Sequence, residues 1–169
     1  MSRVRAGAVV LLGLCTILLF GSSVFPQTPQ TAQKGEAMSK HASGTFEVKV
    51  SPQATAEKVE GLGRMSLDKQ FHGDLEATSK GEMLTAGTVE KGSAGYVAIE
   101  WVSGSLHGRT GTFALQHTGT MNRGVPSLAV NVVPDSGTGQ LIGLTGSMKV
   151  IIADGKHSYD FEYALPATP

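Results

Sequence analysis

The chain has 169 residues, 22 of them glycine, with 17% charged residues and a formal net charge of zero. That length supports one domain with a single core, and the absence of any basic stripe excludes a nucleic-acid surface. Abundant glycine, few charges and many short alternating segments point to all-β structure and away from a helix bundle.

The first segment reads as a targeting signal. Arg3 and Arg5 precede an apolar run over residues 6–20, and Gly21, Ser22 and Ser23 follow. This is the layout of a signal peptide spanning 1–23. Retention as an N-terminal membrane anchor is the alternative if the apolar run extends through Phe25. Cys15 is not a lipidation site, because Leu14 precedes it and the apolar run continues past it. Val4 separates the two arginines, so no twin-arginine signal is present. The expected location is periplasmic or extracellular, with no stable membrane insertion after cleavage. Cys15 is the only cysteine, so the exported form would have no disulfide. Residues 24–43 carry Pro26 and Pro29 without apolar periodicity and read as a flexible leader. The domain is expected over 44–169.

Eight strands are predicted in that domain. Residues 45–50 alternate cleanly, with Phe46, Val48 and Val50 on one face. Residues 64–71 and 75–85 flank the turn His72-Gly73-Asp74. Residues 96–103 form a fourth strand rich in residues suited to a pleated surface. Strands over 111–121 and 127–133 follow, joined by Asn122-Arg123-Gly124. A long connection comes next, and 139–144 within it predicts a single helical turn. Strands 147–153 and 157–165 close the chain as a hairpin across Asp154-Gly155, a pair suited to a type I′ turn. Sequential hairpins without β-α alternation predict an all-β fold, an eight-stranded antiparallel β-barrel. Such a barrel either fills with side chains or holds one small ligand.

The segment GTGQLIGLTG, preceded by VVPDS, resembles the glycine signature before the seventh strand of allene oxide cyclase and dirigent-type barrels. The set GTFEV, FHGDLEATSKGE, LHGRTGTFALQHTGTM and VVPDSGTGQLIGLTGS is similar to an uncharacterised bacterial family of small domains of unknown function with that barrel. The resemblance implies an allene oxide cyclase-like, calycin-like barrel over most of the domain. Allene oxide cyclases hold an unsaturated fatty-acid epoxide in the lumen, and dirigent proteins steer coupling of phenoxy radicals. The resemblance therefore implies a lumen that holds an apolar molecule. It carries no activity of its own, since one fold hosts many functions.

Two residues are candidates for catalysis. Glu100 shares a strand face with Tyr96, Ala98 and Val102. On a wet outer face it would be an ordinary carboxylate. In a lumen, desolvation would raise its pKa and make it a general base or an anchor. Stability would then fall as pH rises, and Glu100→Gln would stabilise the domain near neutral pH. His117 shares a face with Phe113 and Leu115 and could orient a carbonyl or move a proton; the simpler reading is a satisfied core histidine.

Candidate ligand-binding residues are Glu82, Tyr96, Tyr159, Phe161 and Tyr163. Glu82 could pair with Glu100 across neighbouring strands, splitting their titrations. Tyr159, Phe161 and Tyr163 recur with period two, the pattern either of core packing or of a cavity wall shared with Tyr96.

No metal is expected, because no histidines stand at ligand spacing and the exported form lacks cysteine. No cofactor is expected either. Gly137-Thr138-Gly139 leads into a strand, so it does not read as a phosphate loop. No G-x-S-x-G elbow occurs. The leading expectation is an exported barrel that binds a small apolar or amphipathic molecule. The alternatives are an isomerase or cyclase-like enzyme on an unsaturated oxygenated substrate, and a ligand-free structural domain, with homo-oligomer formation left open.

Overall fold

The computed structural model of the chain describes residues 39–166. The signal segment and most of the leader expected from the sequence lie outside them. The strands are β1 (Lys40–Gln53), β2 (Leu62–Gly73), β3 (Leu75–Gly87), β4 (Ala94–Leu106), β5 (Arg109–Asn122), β6 (Val125–Val132), β7 (Thr145–Ala153) and β8 (Lys156–Ala164). Each is antiparallel to its neighbours, and β8 returns to β1, so the sheet closes into an eight-stranded barrel. Closure removes every free edge. The all-β fold expected from the sequence is the fold observed. Among the described residues the one helical element is a 3-10 turn, Gly139–Leu141. No helix there is long and apolar enough to cross a membrane.

Strand alternation sorts side chains between lumen and exterior. On β4, Ala98, Glu100 and Val102 are buried, while Val97, Ile99 and Trp101 stand on the outer face. The first strand opens at Lys40, ahead of the expected start near Gly44. Ala42 lies opposite Phe161 of β8 and is buried in the core. Its small methyl was too weak a signal to mark a strand among polar neighbours. The β7–β8 turn has positive φ at both Asp154 and Gly155, 52° and 74°, as the type I′ reading requires.

The lumen differs along its length. At the end holding the β2–β3 and β4–β5 turns, large apolar groups fill it. Phe71, Leu75, Leu106, Phe113, Phe161 and Tyr163 are all buried there, and the rings of Phe113 and Phe161 stack at 6.0 Å. The β6–β7 connection closes this end with Leu141 and Leu144, both fully buried. It also continues the sheet. Thr138 donates its N–H to the Thr112 carbonyl at 2.8 Å, and Ser136 Oγ accepts the Ala114 N–H at 3.0 Å. The part of β5 beyond β6 therefore keeps its backbone groups satisfied. β6 itself meets β7 at one register pair, Asn131 with Ser147. The opposite end, where the β1–β2, β3–β4, β5–β6 and β7–β8 connections lie, is left unfilled.

Candidate functional site

The unfilled end holds a cavity of about 500 Å³. Its walls include Phe46, Val48 and Val50 of β1, Leu67 of β2, Met83 of β3, Leu128 of β6 and Val150 and Ile152 of β7. Tyr96 of β4 also lines it, and its ring lies where any side chain at Gly119 would have to go, since a Cβ there would sit 2.1 Å from Tyr96 Cε1. Gly119 is thus the residue that lets this ring lie across β5. The cavity borders both β6 and β7, where the wall has the fewest ladder pairs. The ionisable side chains of Lys69 from β2 and His117 from β5 line it, as does His157 of β8, its ring 5.1 Å from that of Phe46.

Behind Lys69 and His117 lies Glu100, with no solvent exposure. Four adjacent strands supply the cluster: Lys69 from β2, Ser79 from β3, Glu100 from β4 and His117 from β5. Lys69 Nζ donates to Glu100 Oε1 at 2.7 Å, and Ser79 Oγ donates to Oε2 at 2.7 Å. His117 Nε2 lies 2.8 Å from Oε1. Lys69 is 8% exposed and His117 4%, so this ion pair is shielded from water and salt. The Lys69 ammonium also stands 5.1 Å and 5.7 Å from the ring centres of Phe46 and Phe71, within cation–π range.

Burial pushes the Glu100 carboxyl up, but the His117 hydrogen bond, the Lys69 charge and the Lys69 and Ser79 hydrogen bonds together outweigh it. Its pKa is held down at about 2. The rise expected from the sequence is therefore corrected: desolvation is present, but three partners favour the charged form. An ionised carboxylate only accepts, so His117 Nε2 carries the hydrogen of that contact. The carboxylate fixes the imidazole's tautomer and orientation, the arrangement by which a buried acid prepares a histidine for proton transfer.

The remaining expected site residues divide between cavity, core and exterior. Tyr96 faces the cavity; burial, and next the Glu100 charge, push its phenol pKa up. Tyr159, Phe161 and Tyr163 are in the packed core and do not line the cavity. Tyr159 Oη accepts the Leu75 N–H at 2.9 Å, and Tyr163 Oη lies 2.7 Å from His107 Nδ1. Their period-two row is core packing. Glu82 is exposed and does not meet Glu100. Register sets Gly81, not Glu82, opposite Glu100, so the two carboxylates point to opposite faces of the sheet. Glu82 instead accepts both Arg64 Nε, at 3.0 Å, and Arg64 Nη2.

Lys69 and Ser79 were not among the expected site residues. Parity alone could have found both: Leu67, Lys69 and Phe71 share one face of β2, and Ala77 and Ser79 one face of β3. Among the described residues no group of three or more His, Cys, Asp or Glu side chains is placed to hold a metal ion.

Residues 42–163 match a family described as protein of unknown function, DUF3224. The chain is similar to a protein of unknown function from that family in Shewanella oneidensis MR-1, whose crystal structure was determined at 1.84 Å. The two are 51% identical with a TM-score of 0.72, and the match covers 77% of this chain and 100% of the other. No functionally curated protein matches the chain. With 42–163 spanning nearly all of the barrel, this chain belongs to the DUF3224 family of proteins of unknown function.

Proposed function

We propose that the barrel binds a small apolar or amphipathic molecule in its lumen. The observation that carries this reading is the cavity of about 500 Å³, walled by aliphatic and aromatic side chains and floored by Lys69 and His117. Its volume falls within the range of small-molecule pockets, about 300–1,000 Å³, and a few polar groups on apolar walls are typical of such sites. Native mass spectrometry of the purified protein, with thermal shifts across a panel of alkyl alcohols and lipids, tests the reading. A bound or stabilising apolar compound is expected. Loss of its effect when Val150→Trp fills the cavity would locate it. A panel without any stabilising member, together with a ligand-free mass, overturns the proposal.

A catalytic reading has one observation in its favour. His117 reaches the cavity while its Nε2 is held by Glu100, so the imidazole is oriented for proton transfer to or from a bound molecule. An isomerase or cyclase-like reaction would use His117 as acid and base, with Glu100 positioning it. The resemblance to allene oxide cyclase and dirigent-type barrels supports this alternative as analogy. Export to the periplasm or beyond is part of the same proposal and rests on Arg3, Arg5 and the apolar run after them. N-terminal sequencing of the exported form checks it, with Met1–Ser23 expected to be missing.

A further inference from the structure

The hydrogen-bonding capacity of the cavity floor bears on the head group of a bound molecule, an inference that rests on the lumen-binding reading above. With its hydrogen on Nε2, a neutral His117 has its lone pair on Nδ1. Among the described residues Nδ1 has no hydrogen-bond partner, and no side-chain nitrogen or oxygen there is both buried and unpartnered. His117 lines the cavity, so Nδ1 is the atom it offers there. Lys69 uses one of its three N–H groups on Glu100. The floor thus presents cationic donors beside one acceptor.

Charge balance then selects among head groups. The Lys69 and Glu100 charges cancel, so the floor is neutral while His117 is neutral. A carboxylate entering this apolar space would bring a negative charge without a counter-charge, at a high desolvation cost. Protonation of His117 removes that imbalance and turns Nδ1 from an acceptor into a donor aimed at the carboxylate. Two cations, Lys69 and His117, then face two anions, Glu100 and the ligand. The other titratable groups on the cavity are Tyr96 of β4, a neutral phenol, and His157 of β8, beside Phe46. The linings from β1, β6 and β7 carry no charge, and β3 contributes Met83 and Thr85.

We propose that the lumen takes an amphipathic monocarboxylate, its head on Lys69 and His117 and its tail along the apolar wall, and that His117 takes up one proton from solvent on binding. Titration calorimetry of the full chain with decanoate and with decan-1-ol, in buffers of different ionisation enthalpy, tests this. At alkaline pH decanoate should bind with uptake of one proton, and its affinity should fall about tenfold per pH unit. Decan-1-ol should show neither effect. In imidazole nitrogen NMR spectra, the resonances missing from His117→Gln should become those of an imidazolium when decanoate is added to the unsubstituted protein. His117→Gln, whose amide can still donate to Glu100, should abolish the proton uptake. Decanoate binding without proton uptake, uptake that persists in His117→Gln, or an imidazolium at His157 instead would overturn the proposal. So would binding of decan-1-ol without decanoate, which leaves the lumen-binding reading intact. If neither compound binds and the whole alcohol and lipid panel is also silent, both readings fail.

Discussion

Gly81 stands opposite Glu100 on the β3–β4 ladder, and a Cβ at Gly81 would lie 2.6 Å from the Cβ of Glu100 and 2.3 Å from the Ile99 carbonyl oxygen. The buried carboxylate therefore depends on a missing side chain on the neighbouring strand. Gly81→Ala should push Glu100 or the β4 backbone out of place, with an overpacking cost of about 1–3 kcal/mol. Gly95→Ala, whose Cβ would meet nothing nearer than the Gly119 carbonyl oxygen at 3.8 Å, should cost far less. Urea unfolding of both variants checks the contrast, and equal costs would show that Gly81 is not a packing requirement.

The Lys69–Glu100 pair makes removal of either partner expensive. Glu100→Gln keeps the shape but leaves the Lys69 ammonium buried without a counter-charge. Breaking a buried pair in this way costs about 3–5 kcal/mol. The double substitution Lys69→Met with Glu100→Gln removes both charges and should recover much of the loss. A double-mutant cycle read by denaturant unfolding measures this coupling. Additive losses would mean that the two charges do not stabilise each other in solution.

The pH dependence follows from the depressed Glu100 pKa. The folded carboxyl titrates at about 2, against an ordinary value of 4.5. The folded state thus binds its proton less readily than the unfolded chain. The stability this confers is complete above the unfolded value and is lost as pH falls through the folded one. Asp74 is also depressed, chiefly by the Ser43 backbone hydrogen bond, so the unsubstituted protein alone does not isolate Glu100. The difference between its profile and that of Glu100→Gln does. That difference should be constant above about pH 5 and shrink towards about pH 2, where a protonated Glu100 resembles glutamine. A Glu100→Gln variant more stable than the unsubstituted protein at neutral pH, with that advantage vanishing on acidification, would restore the raised-pKa expectation drawn from the sequence.

What was legible in the sequence was what period two and turn chemistry encode. Alternation at Phe46, Val48 and Val50 and the Asp154-Gly155 turn were enough to propose sequential hairpins, and the barrel follows from them. His117 and Glu100 were recognisable as residues of one type on a face of another. The Glu100 titration was not legible, because its sign depends on His117, Lys69 and Ser79, which are 17, 31 and 21 residues away in sequence. Only register brings them together. The same limit explains Glu82: one residue of register decides between Glu100 in the lumen and Arg64 on the surface. The row Tyr159, Phe161 and Tyr163 fitted core and cavity equally, since both need apolar rings with period two. Which end of the lumen is filled depends on Leu141 and Leu144 folding back from a loop.

Tyr159 tests the division between packed core and cavity. Its hydroxyl accepts the buried Leu75 N–H at 2.9 Å and donates to the His72 carbonyl at 3.3 Å. It thereby ties β8 to the β2–β3 turn at the filled end of the barrel. Tyr159→Phe removes the acceptor and leaves the Leu75 N–H without its partner, while the ring still packs edge-on against Phe71. The cost should be about 1–3 kcal/mol, the desolvation penalty of an unsatisfied buried donor. Because Tyr159 does not line the cavity, decan-1-ol affinity should be unchanged at a temperature where the variant is folded. Calorimetric titration beside thermal unfolding separates the two effects. Should Tyr159→Phe weaken decan-1-ol binding tenfold while keeping its melting temperature, Tyr159 belongs to the ligand site and not to the core.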